Sequence, residues 1–302
     1  MKSRSFIGCG IFYEYEVKSM KRKVAIQGTL GSFHDIAAHK YFEGDDIELI
    51  CCATFEDLFE SVRQDSQHIG MLAIENTIAG SLLHNYELLR QSGLQIVGEH
   101  KLRIKHNFVC LPDEDWADSR EVNSHPIALM QCREFLNHYP HIKVVEAEDT
   151  ALSAELIQKN QLRGHAAICS LAAAELYGMK VLQEGIETNK HNFTRFLVVA
   201  DPWQVDELNR RRANEVNKAS LVFTLPHTEG SLSQVLSILS FYRINLTKIQ
   251  SLPIIGREWE YQFYVDVAFD NVRRYKQSIA AITPLTKELK ILGEYEEGKS
   301  TI

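Results

Sequence analysis

The 302-residue chain reads as an α/β protein in two unequal units. Three observations carry that reading. Strand-like and helix-like stretches alternate from Val24 to Ala200. A polar segment, 201–218, then interrupts them with Arg210, Arg211 and Arg212 in a row. A different order, β-α-β-β-α-β, runs from there to Tyr295. The first pattern gives a sheet with helices on both faces, and the second is the ferredoxin-like arrangement. The arginine run lies in acidic surroundings and reads as a solvated connector.

In order, Val24–Gln27 is an apolar strand ending at Gly28, and a helix follows with Ile36, Ala37 and Tyr41 on one face. Residues 47–53 are the next strand. Thr54 opens a helix, with Asp57 three residues on as a capping box and Phe55, Leu58, Phe59 and Val62 as the apolar face. Residues 68–75 are a buried strand, and 81–93 a helix stopped by Gly93. Two strand-like stretches, 94–104 and 106–112, come next. Ser124 caps a helix with Pro126 in its first turn and Leu129, Cys132 and Leu136 on one side. Residues 143–147 form a strand, Asp149 or Thr150 caps the following helix, 166–169 form a strand, and Ser170 caps a helix ending at Gly178. Leu197–Ala200 is again an apolar strand. In the second unit 219–225, 244–254, 259–269 and 287–295 are strands, with a turn at Gly256. Its helices are one marked by Leu232, Val235, Leu236 and Leu239, and one over 271–283.

Composition narrows the function. Lys plus Arg is 33 and Asp plus Glu is 40, a net charge of −7. That lacks the basic footprint of a nonspecific nucleic-acid binder. No apolar run approaches the 18 or so residues of a membrane span. Six cysteines, at 9, 51, 52, 110, 132 and 169, form no C-x-x-C pair and point to a reduced, cytoplasmic protein. His138 and His141 lack a second ligand pair, so no metal site is expected. Residues 1–19 resemble an export signal weakly, with charges after the short apolar patch and no small-x-small cleavage site. Met20 reads as the natural start, and 1–20 as an extension or frayed tail.

Taken singly, the motifs are ambiguous. Gly28-Thr29-Leu30-Gly31-Ser32 is either a tight turn or an anion cradle at a strand-to-helix junction. Asn76, after the strand 68–75, either meets a substrate oxygen or caps a helix. Arg195, between apolar neighbours, is either a carboxylate fork or a surface residue of an alternating strand.

The combination is more specific. Gly28-Thr29-Leu30-Gly31-Ser32-Phe33, Glu75-Asn76-Thr77 with Gly80, Ser124-His125-Pro126 with Gln131-Cys132, and Asn192-Phe193-Thr194-Arg195-Phe196 occur in that order. Gly230-Ser231-Leu232 and Ile244-Asn245-Leu246-Thr247-Lys248-Ile249 follow. Over about residues 22–296 the chain closely resembles prephenate dehydratase. The resemblance implies a bilobal, periplasmic-binding-protein-like catalytic region over 21–200, with lobe one about 21–101 and 192–200 and lobe two about 102–191. It implies a linker at 201–217 and a C-terminal ferredoxin-like ACT regulatory domain at 218–296.

The resemblance also implies an activity. Prephenate loses water and carbon dioxide to give phenylpyruvate in L-phenylalanine biosynthesis, without a cofactor or a metal. Thr194 matches the catalytic threonine that donates to the leaving hydroxyl, and Arg195 an arginine on a substrate carboxylate. Asn76, Ser124, Gln131 and Glu148 match polar cleft residues, Glu148 with a catalytic role as a neutral acid or an orienting group. Thr29, Gly31, Ser32 and Phe33 offer backbone amides to the other carboxylate. Gly230, Ser231, Leu232, Asn245, Gln250, Ser251, Leu252 and Pro253 match the regulatory amino-acid site, so L-phenylalanine is the expected feedback ligand. Pairing of ACT domains implies a homodimer or tetramer, and neither nucleic acid nor membrane is an expected partner.

Departures accompany these matches. The family's Glu-Ser-Arg-Pro is Gln250-Ser251-Leu252-Pro253 here, which removes two charged side chains from the regulatory site. The first motif has Thr29 where the family often has Pro, and Ile127 stands where it often has Gln. Two readings compete with the prephenate enzyme: an amino-acid sensor that kept the cleft without the chemistry, and an arogenate dehydratase. The presence of both Thr194 and Arg195 favours the enzyme over the sensor, since a pure binder has no need of the threonine. Placement of an acidic group such as Glu148 bears on the second.

Overall fold

The structure is a computed structural model that describes residues 21–205, 216–254, 256–257, 260–298 and 300–301. The expected 1–20 extension, apart from its boundary, and residues 206–215 of the expected linker, Arg210 to Arg212 included, lie outside the described residues. In chain order the elements begin β1 (Arg22–Gln27), α1 (Phe33–Tyr41), β2 (Ile47–Cys52), α2 (Phe55–Gln64), β3 (Ile69–Asn76), β4 (Gly80–Ser81), α3 (Leu83–Ser92) and β5 (Gln95–Arg103). Next come β6 (Asn107–Cys110), β7 (Glu121–Ser124), α4 (Pro126–Gln131), α5 (Arg133–Asn137), β8 (Lys143–Glu146), α6 (Thr150–Asn160), β9 (His165–Cys169), α7 (Leu171–Leu176), β10 (Lys180–Gln183) and β11 (Phe193–Ala200). The last are β12 (Lys218–Thr224), α8 (Ser231–Phe241), β13 (Asn245–Pro253), β14 (Tyr261–Ala268), α9 (Val272–Ile282), β15 (Glu288–Tyr295) and β16 (Ser300–Thr301).

These strands form three sheets. The first has the order β16-β5-β11-β3-β1-β2, with β4 on β3. The second is β10-β6-β9-β7-β8, and the third β13-β14-β12-β15. After β10 the chain returns to the first sheet, where β11 lies antiparallel between β5 and β3. Two lobes therefore share two crossings, one after Arg103 and one before Phe193. The first crossing falls slightly later than sequence places it, because β5 keeps its ladder with β11 as far as Arg103.

Sequence reading also passes over β7 and β10. β7 carries one apolar residue, Val122, so period-2 alternation has nothing to register. The helix expected from Ser124 is two short helices broken at Cys132. Its cap is His125, whose Nδ1 accepts from the Ile127 N–H at 3.2 Å, while Ser124 ends β7. The Thr54–Asp57 capping box of α2 forms in both directions.

The third sheet has α8 and α9 on one face, packed on Leu221, Phe223, Val265 and Val267. Its other face lies directly on the first lobe. Val222, Tyr264, Leu292 and Tyr295 join one apolar cluster with Tyr86, Leu89, Leu94 and Ile96. The approach is close enough to require glycine at 293, since a Cβ there would stand 2.2 Å from the Ile96 carbonyl oxygen. No helix among the described residues is long and apolar enough to cross a membrane.

Candidate active site

A cleft of about 430 Å³ opens between the first two lobes, within the roughly 300–1,000 Å³ range of small-molecule sites. One wall is the end of β3 and the start of β11 with the start of α1, giving Asn76, Thr194, Phe196, Ser32, Phe33 and His34. The facing wall is lobe two, giving His125, Gln131, Glu148 and Asp149, with His106 beside the crossing. Among the described residues no Lys or Arg lines it.

Thr194 stands opposite Asn76 in the β11–β3 ladder. Asn76 Nδ2 donates to Thr194 Oγ1 at 3.0 Å and to Asn192 Oδ1 at 2.8 Å. Its Oδ1 accepts from the Ile78 and Ala79 N–H groups at 2.9 and 2.8 Å and from Gln131 Nε2 at 3.2 Å. Gln131 Oε1 in turn accepts from Asn192 Nδ2 at 2.8 Å and His106 Nε2 at 2.9 Å. The amide of Asn76 is thus fully committed, and every link fixes the next. Thr194 Oγ1 acts as an acceptor within this network, which leaves its own proton for a molecule in the cleft.

The cleft histidines are biased toward their neutral forms. His34 faces the cleft between Phe55 and Phe196, and its Nε2 accepts the Ala73 N–H at 3.3 Å. Desolvation pushes its pKa down to about 3. Desolvation also lowers His106 and His125 below the usual histidine value. His106 Nδ1 is buried without a hydrogen-bond partner, which fits the neutral ring. Activity is therefore expected to show no histidine inflection between about pH 6.5, the ordinary imidazole value, and pH 8. A pH–rate profile checks this, and a step of one proton in that window contradicts it.

The residues expected from sequence divide into two groups. Thr194, Asn76, Gln131, Glu148, Ser32 and Phe33 line the cleft. Asn76 and Gln131 do so as holders of Thr194, rather than as free substrate donors. Glu148 is exposed on the lobe-two wall.

Ser124, Thr29, Gly31 and Arg195 are not brought to the cleft. Ser124 is fully buried and donates to the Ile168 carbonyl at 2.6 Å. The loop of Thr29 and Gly31 is pressed on lobe two. Ser170 Oγ donates to the Gly31 carbonyl at 2.6 Å, and a Cβ on Gly31 (φ +81°) would stand 2.7 Å from Ala173 Cα. Two of its amides are also taken, since Gly31 N–H donates to Asp35 Oδ2 at 2.7 Å and Ser32 N–H to the Thr29 carbonyl at 3.1 Å. Gly31 therefore joins the lobes, and Thr29 lies outside the cleft lining.

Arg195 is displaced for an elementary reason. Side chains alternate along a strand, so with Thr194 and Phe196 on the cleft side Arg195 points through the sheet. It meets Glu99 at 3.2 Å, Glu75 at 3.3 Å and Asp266 of the third sheet at 2.6 Å. Burial works against its charge, but Asp266, with the other acidic groups around it, more than offsets this and holds its pKa above the usual guanidinium value.

Sequence reasoning gave no role to Asn192, His34 or His106. Asn192 shares a face with Thr194 two residues on, a period-2 signal that was available. His34 and His106 carry no such signal, because their surroundings come from other elements.

The residues expected to bind a regulatory amino acid are spread over the third unit. Gly230 (φ +77°) caps α8, and Ser231 Oγ donates to the Thr228 carbonyl at 2.8 Å. Leu252, Gln262 and Thr224 are successive rungs at one end of the sheet, while Asn245 pairs with Ala268 at the other. Gln250, Ser251 and Pro253 lie on β13, whose ladder partner is β14.

A family model described as prephenate dehydratase matches residues 24–203. The bifunctional chorismate mutase/prephenate dehydratase of Enterobacter agglomerans is 32% identical over 281 residues, covering 90% of this chain and 70% of that protein. A solved chain titled GqqA, a novel type of quorum quenching acylase, superposes with TM-score 0.79 at 27% identity over 92% of this chain and 98% of its own. The prephenate dehydratase of Arthrobacter aurescens in complex with L-Phe gives TM-score 0.78 at 24% identity, over 93% and 92%.

Proposed function

The chain belongs to the prephenate dehydratase family, and from that premise we propose how its cleft turns prephenate into phenylpyruvate. The bond from the ring to its carboxylate breaks, and the electron pair completes the aromatic ring. The C–O bond at the opposite ring carbon breaks in the same sense. The oxygen leaves with its pair, takes up one proton and departs as water, and the carboxylate departs as carbon dioxide.

Thr194 donates a hydrogen bond to the departing oxygen, and the observation that carries this is the Asn76 amide on Thr194 Oγ1. Donation to that oxygen favours negative charge on it and frees the hydroxyl proton. An alcohol is a poor acid in water, so its contribution grows as charge develops on the leaving group. Gln131 and Asn192 hold Asn76 in register. The first-turn N–H groups of α1, at Phe33 and His34, offer an anion site without a cation. Asp149 fills the corresponding end of α6, where it accepts from the Ala151 and Leu152 N–H groups.

A second reading has one observation in its favour. Glu148 and Asp149 face a cleft whose described lining holds no cation, and an ammonium group, as on arogenate, suits that wall better than a second negative charge. Initial rates with each substrate decide between them. Conversion of prephenate to phenylpyruvate at a kcat/KM above that for arogenate supports the first reading. The reverse order supports the second, and no turnover of either supports an amino-acid sensor.

The third unit is, in this reading, an ACT domain that binds L-phenylalanine near Gly230–Leu232 and Gln250–Pro253 of paired copies. Its β-α-β-β-α-β order, with sheet order β13-β14-β12-β15, supports this, as does the likeness to the L-Phe complex. The protein is then a cytoplasmic homodimer or tetramer. Light scattering and calorimetry with L-phenylalanine check both points: a monomer contradicts the assembly, and absent heat and inhibition contradict the ligand.

A further inference from the structure

We propose that Lys248 and Asp266, on the third sheet, are positioning residues for the Thr194–Asn76 pair, so that the C-terminal unit completes the catalytic geometry of the cleft. The proposal rests on the dehydratase reading. Thr194 and Asn76 face the cleft, and the residues beside them in sequence, Arg195 and Glu75, face the other way as a ladder pair. Each is gripped from the third sheet. Asp266 stands 2.6 Å from Arg195 NH2, and Lys248 Nζ stands 3.1 Å from Glu75 Oε2. Lys248 also donates to Ser81 Oγ at 2.7 Å, and Ser81 lines the cleft.

The backbone is built to aim this grip. The β13–β14 register slips by one residue between Leu246 and Lys248. Before the slip, Leu246 packs with the α8 and α9 core; after it, Leu252 packs against lobe one. A one-residue slip moves side chains to the opposite face. Without it Lys248 would share the face of Leu246 and could not reach Glu75. A second slip, in the β11–β3 ladder between Arg195 and Phe196, lies beside the gripped pair. Asp266 is itself fixed, since Ser220 Oγ donates to its Oδ1 at 2.6 Å. Lys248 is held over the Tyr86 ring, 5.0 Å from its centroid.

The test compares the full-length wild type with Lys248→Met, Lys248→Arg and Asp266→Asn. Misplacement of a catalytic group costs up to roughly a hundredfold in rate. Lys248→Met and Asp266→Asn are expected to lower kcat on prephenate about ten- to a hundredfold with KM little changed, and Lys248→Arg to recover most of the loss. Hydrogen exchange of the backbone at 75–77 and 193–196 should be faster in the two impaired variants, in samples shown by circular dichroism to be folded. Wild-type kcat together with wild-type exchange at those amides overturns the proposal. So does a loss of activity that only follows the folded fraction and that Lys248→Arg shares in full. A wild type that leaves prephenate untouched defeats the dehydratase reading instead, and the exchange comparison then still decides whether the third sheet holds these strands.

Discussion

Thr194→Ala lowers kcat on prephenate by about 10²–10³-fold, the usual cost of removing one donor aimed at developing charge, while the protein remains folded. The side chain is half-buried at a cleft wall, so its loss opens no core cavity. Its one network bond, from Asn76 Nδ2, is partly replaced by the Asn192 and Phe193 acceptors already in reach at 2.8 and 3.2 Å. The effect therefore falls on kcat and not on KM, because the hydrogen bond matters when the C–O bond breaks. Thr194→Ser keeps the hydroxyl and should retain much of the rate. Steady-state kinetics with a thermal melt of each variant checks this. A Thr194→Ala enzyme within a few-fold of wild type removes the hydroxyl from the mechanism.

Arg195→Ala has the largest expected effect on stability. Glu99 is fully buried, Asp266 nearly so, and both lean on this guanidinium. Glu99 keeps Lys218 at 2.8 Å and Glu75 keeps Lys248, whereas the carboxylate of Asp266 keeps, among the described residues, the Ser220 hydroxyl at 2.6 Å. Removing one partner of a buried charge cluster costs about 3–5 kcal/mol, chiefly from the charge left uncompensated. Urea unfolding should show that loss. Unfolding within about 1 kcal/mol of wild type, outside the expected 3–5, together with a raised KM, would place Arg195 on the substrate after all.

Much of the site was legible in the sequence because it lies in contiguous segments. Glu75-Asn76 ends a buried strand and Asn192–Phe196 begins another, and the two are ladder neighbours. What sequence did not give was direction. The family resemblance gives Arg195 a substrate carboxylate, and strand alternation beside Thr194 turns it away. Ser124 has the chemistry of a ligand group, yet Ile168 takes its hydroxyl. The Gly28–Phe33 loop suggests an anion cradle, but the face it presents depends on α7, more than a hundred residues away, which no local pattern encodes. The β-α-β-β-α-β unit was visible from periodicity, whereas its packing on lobe one depends on Gly293 and the β13 slip, which carry no local signal.

The most direct test of the account is to mix the purified chain with prephenate at neutral pH and to measure phenylpyruvate and carbon dioxide together, with Thr194→Ala alongside. The account predicts equimolar release of both by the wild type and near-complete loss of both in the variant. Release of neither by the wild type, or equal release by the two proteins, contradicts it.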